Sequence, residues 1–271
     1  MKKTSYYTII TGASSGIGLA LANEFAKNGH NLILVARREE LLKEISAQIS
    51  LKNKVSVEYI VADLTKPSDM VNLQSELQKK DYKINILVNN AGFGLVGEFS
   101  ELELKVQQDM IDLNIKALVD LSYYFARQFK NQGFGWIMNV SSVVGFLPGP
   151  YMAVYYASKN FVTSFSLALA QELKQYNIVV TSLCPGYTDT KFQETSGMDK
   201  LSKFGKSNFV ATTEQVAQSG YQGLIERSEL ITIPGFGNKL MLWLIKFVPV
   251  RIKLALVDYL QNSKTATPNS H

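Results

Sequence analysis

One cysteine, two histidines and no long uninterrupted apolar run set the first limits on this 271-residue chain. Cys184 alone closes no internal disulfide, so the fold must hold without cross-links, and a reducing, cytoplasmic setting is expected. His30 and His271 have no clustered carboxylate or thiol partners, so no metal site is legible. Charge is also sparse: 28 Lys and Arg against 23 Asp and Glu leave a formal +5, with the lysines scattered. That distribution offers no nucleic-acid-binding face. The first apolar run, Tyr6 to Ile10, is too short for a signal-peptide core.

What is present is a core. Hydrophobic residues make up 46% and charged residues 19%, which suits a globular chain of one large α/β domain, expected over residues 1–260. Apolar runs at Tyr6–Ile10, Asn31–Ala36, Val55–Val61, Ile84–Val88, Trp136–Val140, Ile178–Leu183 and Leu230–Ile233 read as strands. Between them lie helical patterns: from the glycine turn to about Asn28, then about Glu39–Ile49, Ser68–Lys80, Glu103–Asn131, Tyr151–Tyr176 and Thr213–Arg227. Strict alternation with right-handed crossovers predicts a single doubly wound parallel sheet of about seven strands, flanked by helices.

Strand C-termini are where such sheets bind ligands, and several distinctive stretches fall there. After the first strand, Gly12, Ser14, Ser15, Gly16, Ile17 and Gly18 form a turn that lets backbone N–H groups and a helix N-terminus meet a phosphate. After the second, Ala36 is followed by Arg37 and Arg38; an acidic residue here would select a free ribose 2′-hydroxyl, whereas two arginines favour a 2′-phosphate. Asp63 and Leu64 follow the third strand, where Asp63 could begin a turn or meet an adenine. Asn89, Asn90, Ala91 and Gly92 follow the fourth, a small-residue turn that lets backbone approach a flat ligand. Ser141 and Ser142 end the fifth. Asn114 lies inside a long helical pattern, where Asn is a weak former and a solvated side chain is the ordinary explanation, but the flanking Leu113 and Ile115 leave its face open.

The stretch Tyr155-Tyr156-Ala157-Ser158-Lys159 carries the proton chemistry. On a helix, either tyrosine can meet Lys159, at i,i+4 or i,i+3. A phenol with pKa of about 10 is a poor acid or base near neutrality, and a shift of about 3 units corresponds to roughly 4 kcal/mol. One cation at about 4 Å supplies a comparable energy at an effective dielectric of about 20.

These residues together resemble the short-chain dehydrogenase/reductase family over roughly residues 5–235. The matching motifs are Thr11 to Gly18, Asn89 to Gly92, Asn114, Ser142, Tyr155-x-x-x-Lys159 and Pro185-Gly186. The resemblance implies a Rossmann-type fold and hydride transfer between a nicotinamide cofactor, NADP(H), and a carbonyl or secondary alcohol. The family pattern sets lysine four residues after the tyrosine, which selects Tyr155, and serine 13 positions before it, which selects Ser142. It implies that Ser142 polarises the substrate oxygen, Tyr155 exchanges its proton, Lys159 lowers the tyrosine pKa and binds ribose, and Asn114 holds a water. Gly12, Ser14, Ser15, Gly16, Ile17, Gly18, Arg37, Arg38, Asp63, Leu64, Asn90, Ala91, Gly92, Pro185, Gly186 and Thr188 would contact the cofactor. The nearest subgroup is an NADP-preferring one with a hydrophobic C-terminal extension.

The substrate is less legible. Phe93, Val143, Phe146, Tyr151, Tyr187 and Phe192 would line an apolar or acyl-type pocket if they converge, with 187–212 a mobile substrate loop. A small hydroxy acid or hydroxy amino acid is the alternative substrate, and a non-catalytic NADP sensor the alternative class. Residues 238–260 read as an apolar helical extension that Pro249 must break, with Lys246, Arg251, Lys253 and Asp258 excluding a membrane span. Such a segment could cover the substrate entrance, join subunits, or rest on an anionic membrane surface. Phe161, Phe165, Leu169 and Leu173 permit a helix-mediated homodimer or homotetramer, and 261–271 reads as a disordered tail.

Overall fold

The computed structural model describes residues 6–188 and 211–262. Seven strands, β1 (Tyr7–Thr11), β2 (Asn31–Ala36), β3 (Val57–Val61), β4 (Ile84–Asn89), β5 (Gly135–Val140), β6 (Ile178–Leu183) and β7 (Ile231–Thr232), form one sheet in the order β3-β2-β1-β4-β5-β6-β7. Every pairing is parallel. The chain runs outward from β1 to β3, then returns across the sheet to β4, so a crevice opens where the C-terminal ends of β1 and β4 part.

Side-chain alternation explains why the strands are nearly continuous apolar runs. In β1 and β2, Ile9, Ile33 and Val35 point to one face, with Ile10, Leu32 and Leu34 on the other. The first face is covered by helices α3 (Pro67–Lys79), α5 (Leu118–Gln132) and α6 (Ala153–Leu173), through Leu73, Phe125, Phe129 and Leu173. The second is covered by α1 (Gly16–Lys27), α2 (Glu39–Asn53) and α7 (Thr213–Tyr221), through Phe25, Leu42, Ile45 and Val216. Both faces are dry, as a parallel sheet requires.

Several boundaries differ from the sequence reading, each for a local reason. α2 continues to Asn53 and stops where Lys54 turns left-handed at φ 57°. β3 begins at Val57 because the two residues before it serve the turn: Ser50 Oγ donates to the Val55 carbonyl, and Ser56 N donates to Asn31 Oδ1. α6 begins at Ala153 because Tyr151 holds φ 60°. The long helix is α4 (Leu104–Ile111) joined to α5 by a π-helical turn, Asp112–Ala117, with Asn114 inside it. A similar π turn, Gln222–Glu226, follows α7.

The C-terminal segment forms two helices, α8 (Phe236–Ile245) and α9 (Val250–Asn262), parted at Pro249. The Pro249 carbonyl accepts from Ile252 N and Lys253 N, so the proline, four residues past the end of the first helix, opens the second. Leu242 and Val257 are buried, while Trp243, Phe247 and Tyr259 stay exposed. No helix among the described residues is long and apolar enough to cross a membrane. Gln261 and Asn262 belong to α9, so the expected tail does not begin at Gln261: this side chain is drawn inward by a hydrogen bond to Tyr156. Phe192, residues 189–210 and those after 262 lie outside the described residues.

Candidate active site

The β1–α1 turn is held by close approach. Gly12 adopts φ +64°, and a Cβ there would sit 2.9 Å from Ala91 Cα; one on Gly18 would run into the Gly12 carbonyl and Asn90 Nδ2. Only hydrogen fits at either place. Thr11 Oγ1 accepts from Asn90 N and Ala91 N, both at 3.0 Å, tying the end of β1 to the end of β4. Asn90 Nδ2 donates back to the Thr11 carbonyl at 2.9 Å. The first turn of α1 has no side-chain cap, so its N–H groups are left to face a ligand.

These turns line one cleft of about 750 Å³. In sheet order it runs from Asp63 and Leu64 beyond β3, past Arg37 and Arg38 beyond β2, through Gly12, Ser14, Ser15, Gly16, Ile17 and Gly18. It continues past Asn90, Ala91 and Gly92 to Ser142, Tyr155 and Lys159, with Pro185, Gly186 and Thr188 beyond β6. Every expected cofactor and catalytic position lines it except Asn114, which stands behind the wall.

At the β2–β3 end, Arg38 donates to Ser14 Oγ at 2.9 Å and Ser15 Oγ at 3.3 Å, and both Arg37 and Arg38 are exposed. Asp63 Oδ1 accepts from Thr65 N and Thr65 Oγ1, so the carboxylate serves the turn it begins. Partial burial works to raise its pKa, but the Thr65 hydrogen bonds, Arg37 and Lys66 prevail and hold it below the usual carboxylate range.

At the other end, α6 carries Tyr155 and Lys159 on the face toward β5. Burial pushes the Tyr155 phenol well above its ordinary pKa and Tyr156 adds to this; a hydrogen bond with Ser142 works the other way. Lys159 Nζ donates to the Val140 carbonyl at 2.9 Å and lies 5.8 Å from the Tyr155 ring centre. Burial depresses the lysine to about 8, against a smaller opposing effect of Cys184. Ser142 Oγ also accepts from Val144 N at 3.3 Å and donates to the Pro185 carbonyl at 3.3 Å. Its neighbour Ser141 is engaged elsewhere: its hydroxyl donates to the Lys159 carbonyl at 2.8 Å and pairs with Thr163 at 2.7 Å. A hydroxyl, a protonated phenol and an ammonium thus gather where a carbonyl oxygen could be bound and protonated.

The π turn explains Asn114. An extra residue in the helix rotates the Asn inward, where Nδ2 donates to the Phe93 carbonyl at 2.9 Å and Oδ1 accepts from Phe93 N at 3.0 Å. The same Nδ2 reaches Ser158 Oγ at 3.1 Å, and Ser158 donates to the Tyr155 carbonyl at 2.7 Å. The solvated-Asn alternative is therefore corrected: Asn114 is 2% exposed.

Of the expected substrate-facing residues, Phe93, Val143 and Tyr187 line the cleft. Tyr151 instead lines an adjoining cavity of about 20 Å³, and Phe146 lines neither. Thr11, Ser158 and Gln261 were not singled out as site residues by the sequence, and Tyr156 was offered only as the alternative partner of Lys159. Thr11 and Ser158 lay within quoted motifs, but a lone hydroxyl gives no sign of what it will brace. Gln261 gave no signal at all. Among the described residues no three His, Cys, Asp or Glu side chains gather as a metal site.

The short chain dehydrogenase family model matches residues 7–201. Sulfoacetaldehyde reductase 2 of Chromohalobacter salexigens is 37% identical over 186 residues, covering 68% of this chain and 73% of that protein. A short-chain dehydrogenase from Sphingobium yanoikuyae, solved in complex with NADPH, is 34% identical with a TM-score of 0.78, covering 90% of this chain and 96% of its own. The bulky-bulky ketone specific alcohol dehydrogenase from Comamonas testosteroni is 30% identical with a TM-score of 0.75, covering 99% and 97%. Sequence match, sheet order and cleft agree: the chain is an oxidoreductase of the short-chain dehydrogenase family, whose members act on alcohols and ketones.

Proposed function

We propose that this chain is an NADP(H)-dependent carbonyl reductase and alcohol dehydrogenase acting on bulky, predominantly apolar ketones. The observation that carries the reading is the gathering of Ser142, Tyr155 and Lys159 at one end of a cleft whose other end holds Arg37 and Arg38. The cradle fits a dinucleotide: Gly12 and Gly18 leave no room for a Cβ where backbone must approach, and the α1 N-terminus is uncapped. Gly12, Ser14, Ser15, Gly16, Ile17 and Gly18 would hold the pyrophosphate, and Asn90, Ala91 and Gly92 would lie alongside the cofactor. Asp63 and Leu64 would border the adenine; Pro185, Gly186 and Thr188 would border the nicotinamide. When bound, the nicotinamide would supply a hydride to the substrate carbon, or accept one from it.

Ser142 would donate to the substrate oxygen and fix its direction. Tyr155, kept protonated by its burial rather than lowered by Lys159 as the motif implied, would give its proton to that oxygen as negative charge develops there. Lys159, depressed only to about 8, remains mostly a cation at pH 7 and would stabilise the phenolate left behind. Asn114 would fix the Phe93 backbone and, through Ser158, the turn of α6 that carries Tyr155.

Apolar ketones suit the catalytic end better than small acids. Its walls include Phe93, Leu113, Val143, Val144 and Tyr187, and the cations among the described lining residues are Arg37, Arg38 and Lys159. None but Lys159 lies at that end, so a sulfonate or carboxylate substrate would find no second cation there. The known preference of the Comamonas enzyme for bulky-bulky ketones is of the same kind.

The cofactor assignment is tested by kcat/KM with NADPH and with NADH. Wild type is expected to favour NADPH, and Arg38→Ala to reduce that preference by roughly tenfold or more, the value of a charge-assisted bond to phosphate. A wild-type preference for NADH would remove the assignment.

A further inference from the structure

The last described turn of α9 brings a polar side chain into the catalytic end of the cleft. Gln261 is 3% exposed, lines the cleft, and donates from Nε2 to the Tyr156 hydroxyl at 2.9 Å. Its Oε1 is buried and has no hydrogen-bond partner among the described residues. An amide oxygen buried in an apolar setting without a partner is unfavourable, so a ligand group able to donate to it would relieve that cost. The setting is apolar: Tyr156 and Val257 share a cluster with Met110, Met152 and Val144. Gly149 lies against the Tyr156 ring, leaving no room for a Cβ and little for the ring to move.

We infer that Gln261 and Tyr156 form a substrate-recognition pair that binds a neutral hydroxyl on the bulky ketone, at a point remote from the carbonyl being reduced. The inference rests on the reductase reading above and deepens it. Tyr156, having accepted from Nε2, keeps its own O–H to donate, and burial raises its pKa to about 12, so it stays a phenol throughout the working range. The pair therefore offers one donor, Tyr156 O–H, beside one acceptor, Gln261 Oε1. A hydroxyl, which both accepts and donates, satisfies the two at once. Turning the amide over exchanges the roles: Tyr156 would donate to Oε1 and the spare group would be Nε2, which a hydroxyl also satisfies. A carboxylate would be buried among Met110, Met152 and Val257 with no added cation, and is disfavoured. Tyr156 adjoins Tyr155 in sequence, their ring centres 6.3 Å apart, so the pair belongs to the same pocket yet is distinct from the proton donor. α9 in this account acts as a wall of the substrate site.

The test uses full-length protein, NADPH and matched pairs of bulky cyclic ketones, one of each pair bearing a hydroxyl at the end remote from the carbonyl. Wild type is expected to favour the hydroxylated member by roughly tenfold in kcat/KM, the value of one well-made hydrogen bond with its partners otherwise left unpaired. Gln261→Leu and Tyr156→Phe should each bring that ratio toward one. The ratio is the readout because a poorly docked α9 lowers both members alike, and Tyr156→Phe keeps the ring that Val257 and Gly149 contact. Turnover of both members with no wild-type preference, or a preference unchanged in both variants, overturns the inference. No turnover of any ketone strikes the reductase reading itself and takes the inference with it.

Discussion

Tyr155→Phe is expected to lower ketone reduction by about a thousandfold or more while NADPH affinity changes by no more than about twofold. Removing a positioned proton donor from the transition state costs about 10²–10⁴ in rate. The same change deletes one oxygen from a ring that is 8% exposed, so the surrounding packing stays in place. The hydrogen bond to Ser142 is lost, yet Ser142 keeps its contacts with Val144 N and the Pro185 carbonyl. Tyr156→Phe is the control: its hydroxyl faces Gln261 rather than Ser142, so it should retain reduction of ketones lacking a remote hydroxyl to within about tenfold. Single-turnover rates and NADPH titration of the three proteins check this. Loss of turnover in Tyr156→Phe with activity intact in Tyr155→Phe would reverse the assignment of the two tyrosines.

Lys159→Met is expected to separate a catalytic effect from a stability effect. Turnover should fall by about a hundredfold or more, because the cation that favours the phenolate is gone. The stability effect depends on pH, and its sign follows from the direction of the shift. The folded lysine titrates at about 8 against 10.5 for the ordinary side chain, so above pH 8 the unfolded chain binds more protons. Stability from this group is complete above about 10.5 and is lost as pH falls through about 8. Between pH 7 and 10, wild type should therefore gain about 2–3 kcal/mol relative to Lys159→Met, as judged by urea midpoints at both pH values. An identical pH dependence in the two proteins would show that Lys159 is not held in a desolvated site.

Much of the fold was legible because parallel strands covered on both faces must be apolar along their length. β2, Leu32 to Val35 all fully buried, is the clearest case. The motif turns were legible because backbone approach at Gly12 and Gly18 demands a residue without a side chain. The boundaries were less so. Val55 has the composition of a strand residue, but its carbonyl is taken by Ser50, a contact no pattern announces. The π turn at Asp112–Ala117 was hidden for a similar reason: a one-residue insertion changes the helical phase without changing composition, and only the inward turn of Asn114 marks it. Pro249 did announce the break between α8 and α9. Gln261 was the largest miss, since a polar side chain followed by a polar tail reads as solvent-exposed until the helix carrying it is laid over the tyrosines.

The physical ordering of the site also sharpens what the sequence offered. Helical spacing alone allowed Lys159 to serve either tyrosine. The structure gives the two phenols different company, Ser142 for Tyr155 and Gln261 for Tyr156, and different polar company implies different work.

The most direct measurement of the central claim is isotopic. NADPH carrying deuterium at the transferable C4 position, incubated with wild-type protein and a bulky cyclic ketone, is expected to yield an alcohol with one deuterium on the carbinol carbon and unlabelled NADP⁺. Tight NADPH binding with no deuterium in any product across a broad ketone panel would contradict the claim and leave a cofactor-binding protein in place of a reductase.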